Sequence, residues 1–135
     1  MKAVLKIESI GDNVYGQIEL HRRFLSMGFG KKFADDFMGR MPKRYWVAEI
    51  ERLDKRYGYK RRFLRFNHKD YDNANSVGSR GVMIHYVLES GKIYEVKEPK
   101  SWKRDIRYFC RVNDRGEIEE ITTEEVDECL KRVSV

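Results

Sequence analysis

The chain has few cysteines and no long apolar run, and each shortage excludes a class of protein. Nineteen positions separate its two cysteines, Cys110 and Cys129, with no partnering Cys or His pattern, which fits neither a disulfide framework nor a zinc site. We expect both thiols to be reduced and buried. Without a run of about eighteen apolar residues the sequence predicts no transmembrane helix, and its charged first residues predict no signal peptide. We therefore expect a cytoplasmic protein with no membrane partner.

The patterns of common catalytic and metal centres are also missing. The three histidines form no His-x-x-x-His pair, the aspartates lack calcium-loop spacing, and the glycines match neither a phosphate loop nor a dinucleotide fingerprint. No serine stands in a Gly-x-Ser-x-Gly context. The sequence thus predicts no catalytic residue, no metal and no cofactor. One enzymatic alternative stays open, because His68 near Asp70 and Asp72 is suited to general-base catalysis on phosphodiesters.

Positive charge is abundant, and it is unevenly distributed. The formal net charge is +6, and residues 40 to 80 carry twelve Lys or Arg against five Asp or Glu. Residues 113 to 135 carry only three against eight. The pattern indicates a dipolar molecule with a basic middle and an acidic end.

The basic residues of the middle alternate with aromatic ones between residues 57 and 66. On a strand, Arg61, Phe63 and Arg65 point one way, which predicts an exposed ring between two guanidinium groups. Lys60 and Arg62 point the other way. Cations neutralise phosphates and rings stack on bases, so this strip favours RNA or DNA as the partner. In the alternative interpretation, Phe63 belongs to the core and the arginines coat a sheet edge.

Two further segments extend the predicted nucleic-acid site. The loop around Pro99 is basic and contains Trp102, which we expect to be exposed, whereas Trp46 on an alternating segment is expected in the core. The polar loop of residues 70 to 81 ends near Arg80, whose planar fork suits phosphate, although an ordinary surface loop would have the same composition. The predicted nucleic-acid-binding residues are Lys60, Arg61, Arg62, Phe63, Arg65, Arg80, Lys100, Trp102, Lys103, Arg104 and Arg107.

Hydrophobic periodicity predicts one α+β domain over residues 1–135, dominated by a curled or barrel-like antiparallel sheet of about seven strands. Helices are expected near residues 31–41 and 123–133, the second with a capping box from Thr122 to Glu125 and a staple between Ile121 and Val126. Period-two patterns predict an opening hairpin from residues 3–8 and 14–20, a hairpin joining 82–88 to 93–96, and another joining 106–112 to 118–121. Residues 45–57 fit a strand, although a helix is also compatible with their pattern. Residues 61–66 are predicted to form the strand that pairs with it, and residues 67–81 an irregular loop.

The acidic C-terminal helix supports a different partner class. Its negative face could dock on a basic protein or cover the chain's own basic strip. The alternative function is therefore a small inhibitor or adaptor that binds a protein partner, of the kind that phages and mobile elements encode.

Overall fold

The computed structural model describes the backbone of residues 1–10, 12–40, 45–56, 58–72, 80–101 and 104–133, and side chains within 1–7, 16–40, 45–56, 58–68, 83–98 and 105–131. In chain order the elements are β1 (Lys2–Ile10), α1 (Asp12–Ser26), α2 (Lys31–Arg40), β2 (Trp46–Asp54), β3 (Gly58–Phe63), β4 (Asn67–Asp72), β5 (Arg80–Glu89), β6 (Tyr94–Ser101), β7 (Arg104–Val112), β8 (Ile118–Ile121) and α3 (Thr123–Val133).

The strands form two antiparallel sheets, one of three strands in the order β1-β5-β4 and one of five in the order β3-β2-β6-β7-β8. The predicted α+β class with mainly antiparallel sheet is confirmed. Of the two predicted forms, curled sheet or barrel, the barrel is not the one that the strands of the described ranges adopt. The two sheets instead enclose a shared apolar core that includes Val47, Val96 and Cys110 of the larger sheet with Ile84 and Leu88 of the smaller one.

The predicted opening hairpin is wrong, because residues 12–26 form helix α1. Alternation of apolar residues at 14, 16, 18 and 20 suggested a strand, but Gln17, Ile18 and His21 are the buried positions, a spacing that belongs to one helical face. Strand β1 pairs over its whole length with β5 instead, from Lys2 opposite Glu89 to Ile10 opposite Gly81.

The predicted hairpin from residues 82–88 to 93–96 is also wrong, although both segments are strands. Strand β5 pairs with β1 and β4, whereas β6 pairs with β2 and β7. Gly91, at φ 85°, provides a turn that carries the chain from one sheet to the other. The expected irregular loop of residues 67–81 contains strand β4 and the beginning of β5, and residues 73–79 lie outside the described ranges.

The remaining element predictions hold. Residues 46–54 are a strand and not a helix, β7 and β8 form a hairpin, and helices α2 and α3 lie where they were expected. The Glu125 amide donates to Thr122 Oγ1 at 3.2 Å, which caps α3. Ile121 and Val126 pack in one cluster with Ile50, Ile93 and Leu130, where α3 covers the outer side of the five-stranded sheet.

Both cysteines are unpaired, as expected, but only Cys110 is fully buried. Burial, with a smaller contribution from the charge of Glu120, raises the pKa of the Cys110 thiol to about 12. Trp46 is buried, as predicted. None of the helices in the described ranges is long and apolar enough to cross a membrane.

Candidate anion-binding cleft

Strand β3 does not present the ring that its sequence suggested. Tyr59, Arg61 and Phe63 lie on its more buried side, and Lys60 and Arg62 on its exposed side. The Phe63 ring stands edge-on to the buried Trp46, with 5.3 Å between ring centroids, and it lies directly against Gly39 of α2. The expectation of an exposed ring between two guanidinium groups is therefore wrong, because Phe63 packs between the sheet and α2.

The cations of β3 are paired with carboxylates of β2 and β6. Arg61 Nε donates to the buried Glu95 at 2.6 Å. Arg62 bonds Glu49, and this hydrogen bond raises the pKa of the Arg62 guanidinium. Lys60 Nζ lies 3.3 Å from Glu51. Three of the predicted contacts to an external polyanion are thus engaged in cross-strand ion pairs of the chain itself.

On the outer side of the larger sheet, Trp46, Lys97 and Arg107 are neighbours across three strands. The exposed Arg107 guanidinium lies 5.6 Å from the centre of the Trp46 ring, a cation–π arrangement. Lys97 is buried, and its Nζ atom lies 3.6 Å from Asp105 Oδ2. Burial lowers the pKa of the Lys97 ammonium. The side chains of Arg80, Lys100 and Arg104, and all of Trp102 and Lys103, lie outside the described part of the chain.

Arg65 occupies a different surface from the rest of the strip. Arg65 lies just after β3, and its side chain is exposed. The preceding residue, Leu64, is still held to β2, because its amide donates to the Val47 carbonyl at 2.8 Å. Helix α1 and residues 65–68, which lead from β3 into β4, enclose a cleft of about 260 Å³. The cleft is lined by Ile18, His21, Arg22, Leu25, Arg65, Phe66, Asn67 and His68.

The cleft has an apolar base and a cationic rim. Phe66 packs on the core, with its ring 5.6 Å from Tyr45 and 6.1 Å from Tyr86. Arg22 and Arg65 are both exposed, and no carboxylate of the described residues pairs with either. Two guanidinium groups therefore border one concave site, and neither is paired with a carboxylate among the described side chains.

His68 joins this rim through a short contact. Its Nε2 atom lies 2.7 Å from an Arg22 terminal nitrogen. A guanidinium can only donate, so His68 Nε2 is the acceptor and carries no proton in this arrangement. Protonation of that nitrogen would release Arg22 and add a third cation to the rim.

A buried His–Asp pair supports the cleft from behind. His21 Nε2 lies 2.9 Å from Asp35 Oδ1, and both side chains are more than nine-tenths buried. This contact joins α1 to α2, and the His21 ring also lies 5.2 Å from Phe66. The pair uses the Asp35 carboxylate internally, so that this carboxylate is not available to neutralise the rim.

The sequence pointed to Arg65 and His68, but for separate roles, and it missed Arg22. The structure brings these three residues together because residues 12–26 are helical. The helical spacing of Ile18, His21 and Leu25 was the available signal, and the alternation ending at Leu20 obscured it. The side chains of Asp70 and Asp72, the suggested partners of His68, are not among those described.

Comparison with known proteins gives this chain no relative. No protein-family model, no curated protein and no solved structure matches it. Within the described ranges, His, Cys, Asp and Glu form no group of three suited to hold a metal ion.

Proposed function

We propose that the protein is a noncatalytic nucleic-acid-binding protein whose cleft holds a backbone phosphate between Arg22 and Arg65. The observation that carries this proposal is the pair of exposed guanidinium groups on one cleft, neither of them paired with a carboxylate of the described residues. By contrast, Arg61 and Arg62 are held by Glu95 and Glu49. The cleft therefore brings together two cations that are available to an outside anion.

The chemistry of the rim suits phosphate. A planar guanidinium offers parallel N–H donors that match two phosphate oxygens, and a partly enclosed site weakens competition from water. Asn67 adds an amide on the same rim, and the Nε2 atom of His68 becomes a donor when it is protonated. The formal net charge of +6 supplies longer-range attraction for a polyanion.

Filter binding of labelled oligonucleotides across a salt series tests the proposal. For the double variant Arg22→Ala/Arg65→Ala we expect weaker binding and a log–log salt slope that is shallower by roughly 1, since the loss of one neutralised phosphate removes about 0.7 to 0.9. The matched control is Lys60→Ala/Arg62→Ala, which removes the same charge from cations that already have carboxylate partners. We expect this control to keep the parental slope.

Two results would contradict this assignment. If the cleft variant binds like the parent protein at every salt concentration, Arg22 and Arg65 are not the contacts. If the two double variants lose affinity equally, net charge and not the cleft accounts for binding.

Phosphodiester cleavage is the second candidate, and the position of His68 favours it. Its unprotonated Nε2 lies on the rim beside Arg22, where a base and a phosphate-binding cation would both be needed. Labelled RNA and DNA incubated with and without magnesium would separate the candidates. Fragments that disappear with His68→Ala would establish an enzyme, whereas the leading proposal expects intact strands throughout.

A further inference from the structure

Four phenylalanines pack together where α1 turns into α2. Phe24 is central, with its ring edge-on to Phe29 and Phe33 at 5.6 Å each and 4.7 Å from Phe37. Phe29 and Phe33 stack on one another, with centroids 4.7 Å apart and planes inclined by 19°. These two rings are 41% and 46% exposed. A stacked aromatic pair is thus half-open to solvent, an arrangement that usually marks a binding surface.

The turn that carries the rings is ordered by its own hydrogen bonds. The Phe29 amide donates to the Phe24 carbonyl at 3.0 Å, and the Met27 amide donates to the Arg23 carbonyl at 2.9 Å. Gly28 takes φ 87°, which side-chain-bearing residues rarely adopt. The exposed rings are therefore held in place before any ligand arrives, and binding would cost little ordering entropy.

The surroundings of the rings are basic. Lys31 and Lys32 lie two and three residues after Phe29, both are exposed, and no carboxylate of the described residues pairs with them. The first turn of α2 contains no acidic residue. A second copy of the chain would bring these lysines against their own equivalents, which argues against self-association through this surface. The complementary occupant is an anion that also carries flat apolar groups.

The ring pair and the cleft are close along the chain. Arg22 lies about one helical turn before α1 ends at Ser26, and Phe29 follows in the connecting turn. Building on the proposed function, we infer that the ligand is single-stranded RNA or DNA, whose unpaired bases stack on Phe29 and Phe33 while Arg22 and Arg65 hold one of its phosphates. A duplex keeps its bases stacked inside and offers none to these rings.

Fluorescence anisotropy with three labelled 12-nucleotide ligands tests the inference: an oligothymidine strand, a duplex, and an abasic strand with the same phosphates. We expect the parent protein to bind oligothymidine at least about tenfold more tightly than the abasic strand, because base–aromatic stacking contributes about 1 to 3 kcal/mol per base. Phe29→Ala/Phe33→Ala should remove that preference and leave abasic binding unchanged. Phe29→Leu/Phe33→Leu keeps apolar surface for folding and should lose the preference as well.

The outcomes separate the inference from the proposal beneath it. If the abasic strand and oligothymidine bind equally, or if both ring variants bind oligothymidine like the parent, the stacking role is overturned. If binding is then still salt-dependent and still requires Arg22 and Arg65, the proposed function stands. The ring pair would in that case have a role other than nucleic-acid binding. Failure of every ligand to bind the parent would overturn both.

Discussion

At the residue scale, Gly39 shows how closely β3 and α2 approach. A Cβ at this position would overlap the Phe63 ring, which is backed by Trp46. We expect Gly39→Ala to lower the free energy of unfolding by about 1 kcal/mol, since overpacking costs about 1–3 kcal/mol and the gain in helix propensity returns about 1 kcal/mol. Urea denaturation at constant m-value measures the change.

A second helical glycine provides the control. Gly16 of α1 is exposed, and a Cβ added there would have no neighbouring atom within 4 Å among the described residues. Gly16→Ala should therefore stabilise the protein by about 0.5 to 1 kcal/mol. If both substitutions stabilise the protein to the same extent, Phe63 does not pack on α2 as described.

At the element scale, the sequence predicts those elements whose signals are local. Helix α3 has its cap in Thr122 and its buried stripe in Val126 and Leu130, all within nine residues. The β7–β8 hairpin is equally local, because Asn113 Oδ1 accepts from the Glu117 amide at 3.0 Å inside the turn itself. Patterns of this kind need no knowledge of the rest of the fold.

The predictions are wrong where residues far apart in the sequence decide the structure. Gly91 favours a turn, but a turn does not reveal that β5 pairs with β1, some eighty residues away in sequence, and not with β6. The candidate site depended on the same long-range information. Whether Arg62 is available to a ligand is decided by Glu49 on the adjacent strand, and whether Arg65 is available is decided by α1.

At the scale of the whole molecule, part of the positive charge is balanced within the fold. Cross-strand pairs engage the cations of β3, and Arg111 of β7 bonds Glu119 of β8 at 2.7 Å. The number of basic residues in a segment therefore does not by itself locate the surface that would bind a polyanion. The informative cations are those without an internal carboxylate in the described residues, and four of them, Arg22, Arg65, Lys31 and Lys32, lie on or beside the α1–α2 pair.

The stability of the whole fold at high pH depends on titratable groups that folding shields fully or partly from water. Burial raises the pKa of Cys110 from 9.0 to about 12, and burial followed by the Asp127 hydrogen bond raises that of Tyr59 from 10.0 to about 12. Both groups are neutral when protonated, and folding favours that form. Their contribution is complete below the unfolded pKa and is lost as the pH rises towards the folded pKa.

The thiol dominates the first part of this loss, between pH 9 and 10. There the unfolded Cys110 ionises while the folded one stays protonated, so stability should fall with a slope approaching about 1.4 kcal/mol per pH unit. Urea denaturation of Cys110→Ala should show a lower overall stability, from the lost packing, but a flatter pH dependence over this interval. Cys129→Ala, at the partly buried second thiol, is the matched cysteine substitution for comparison. A parental slope in Cys110→Ala would instead assign the alkaline loss to groups other than the buried thiol.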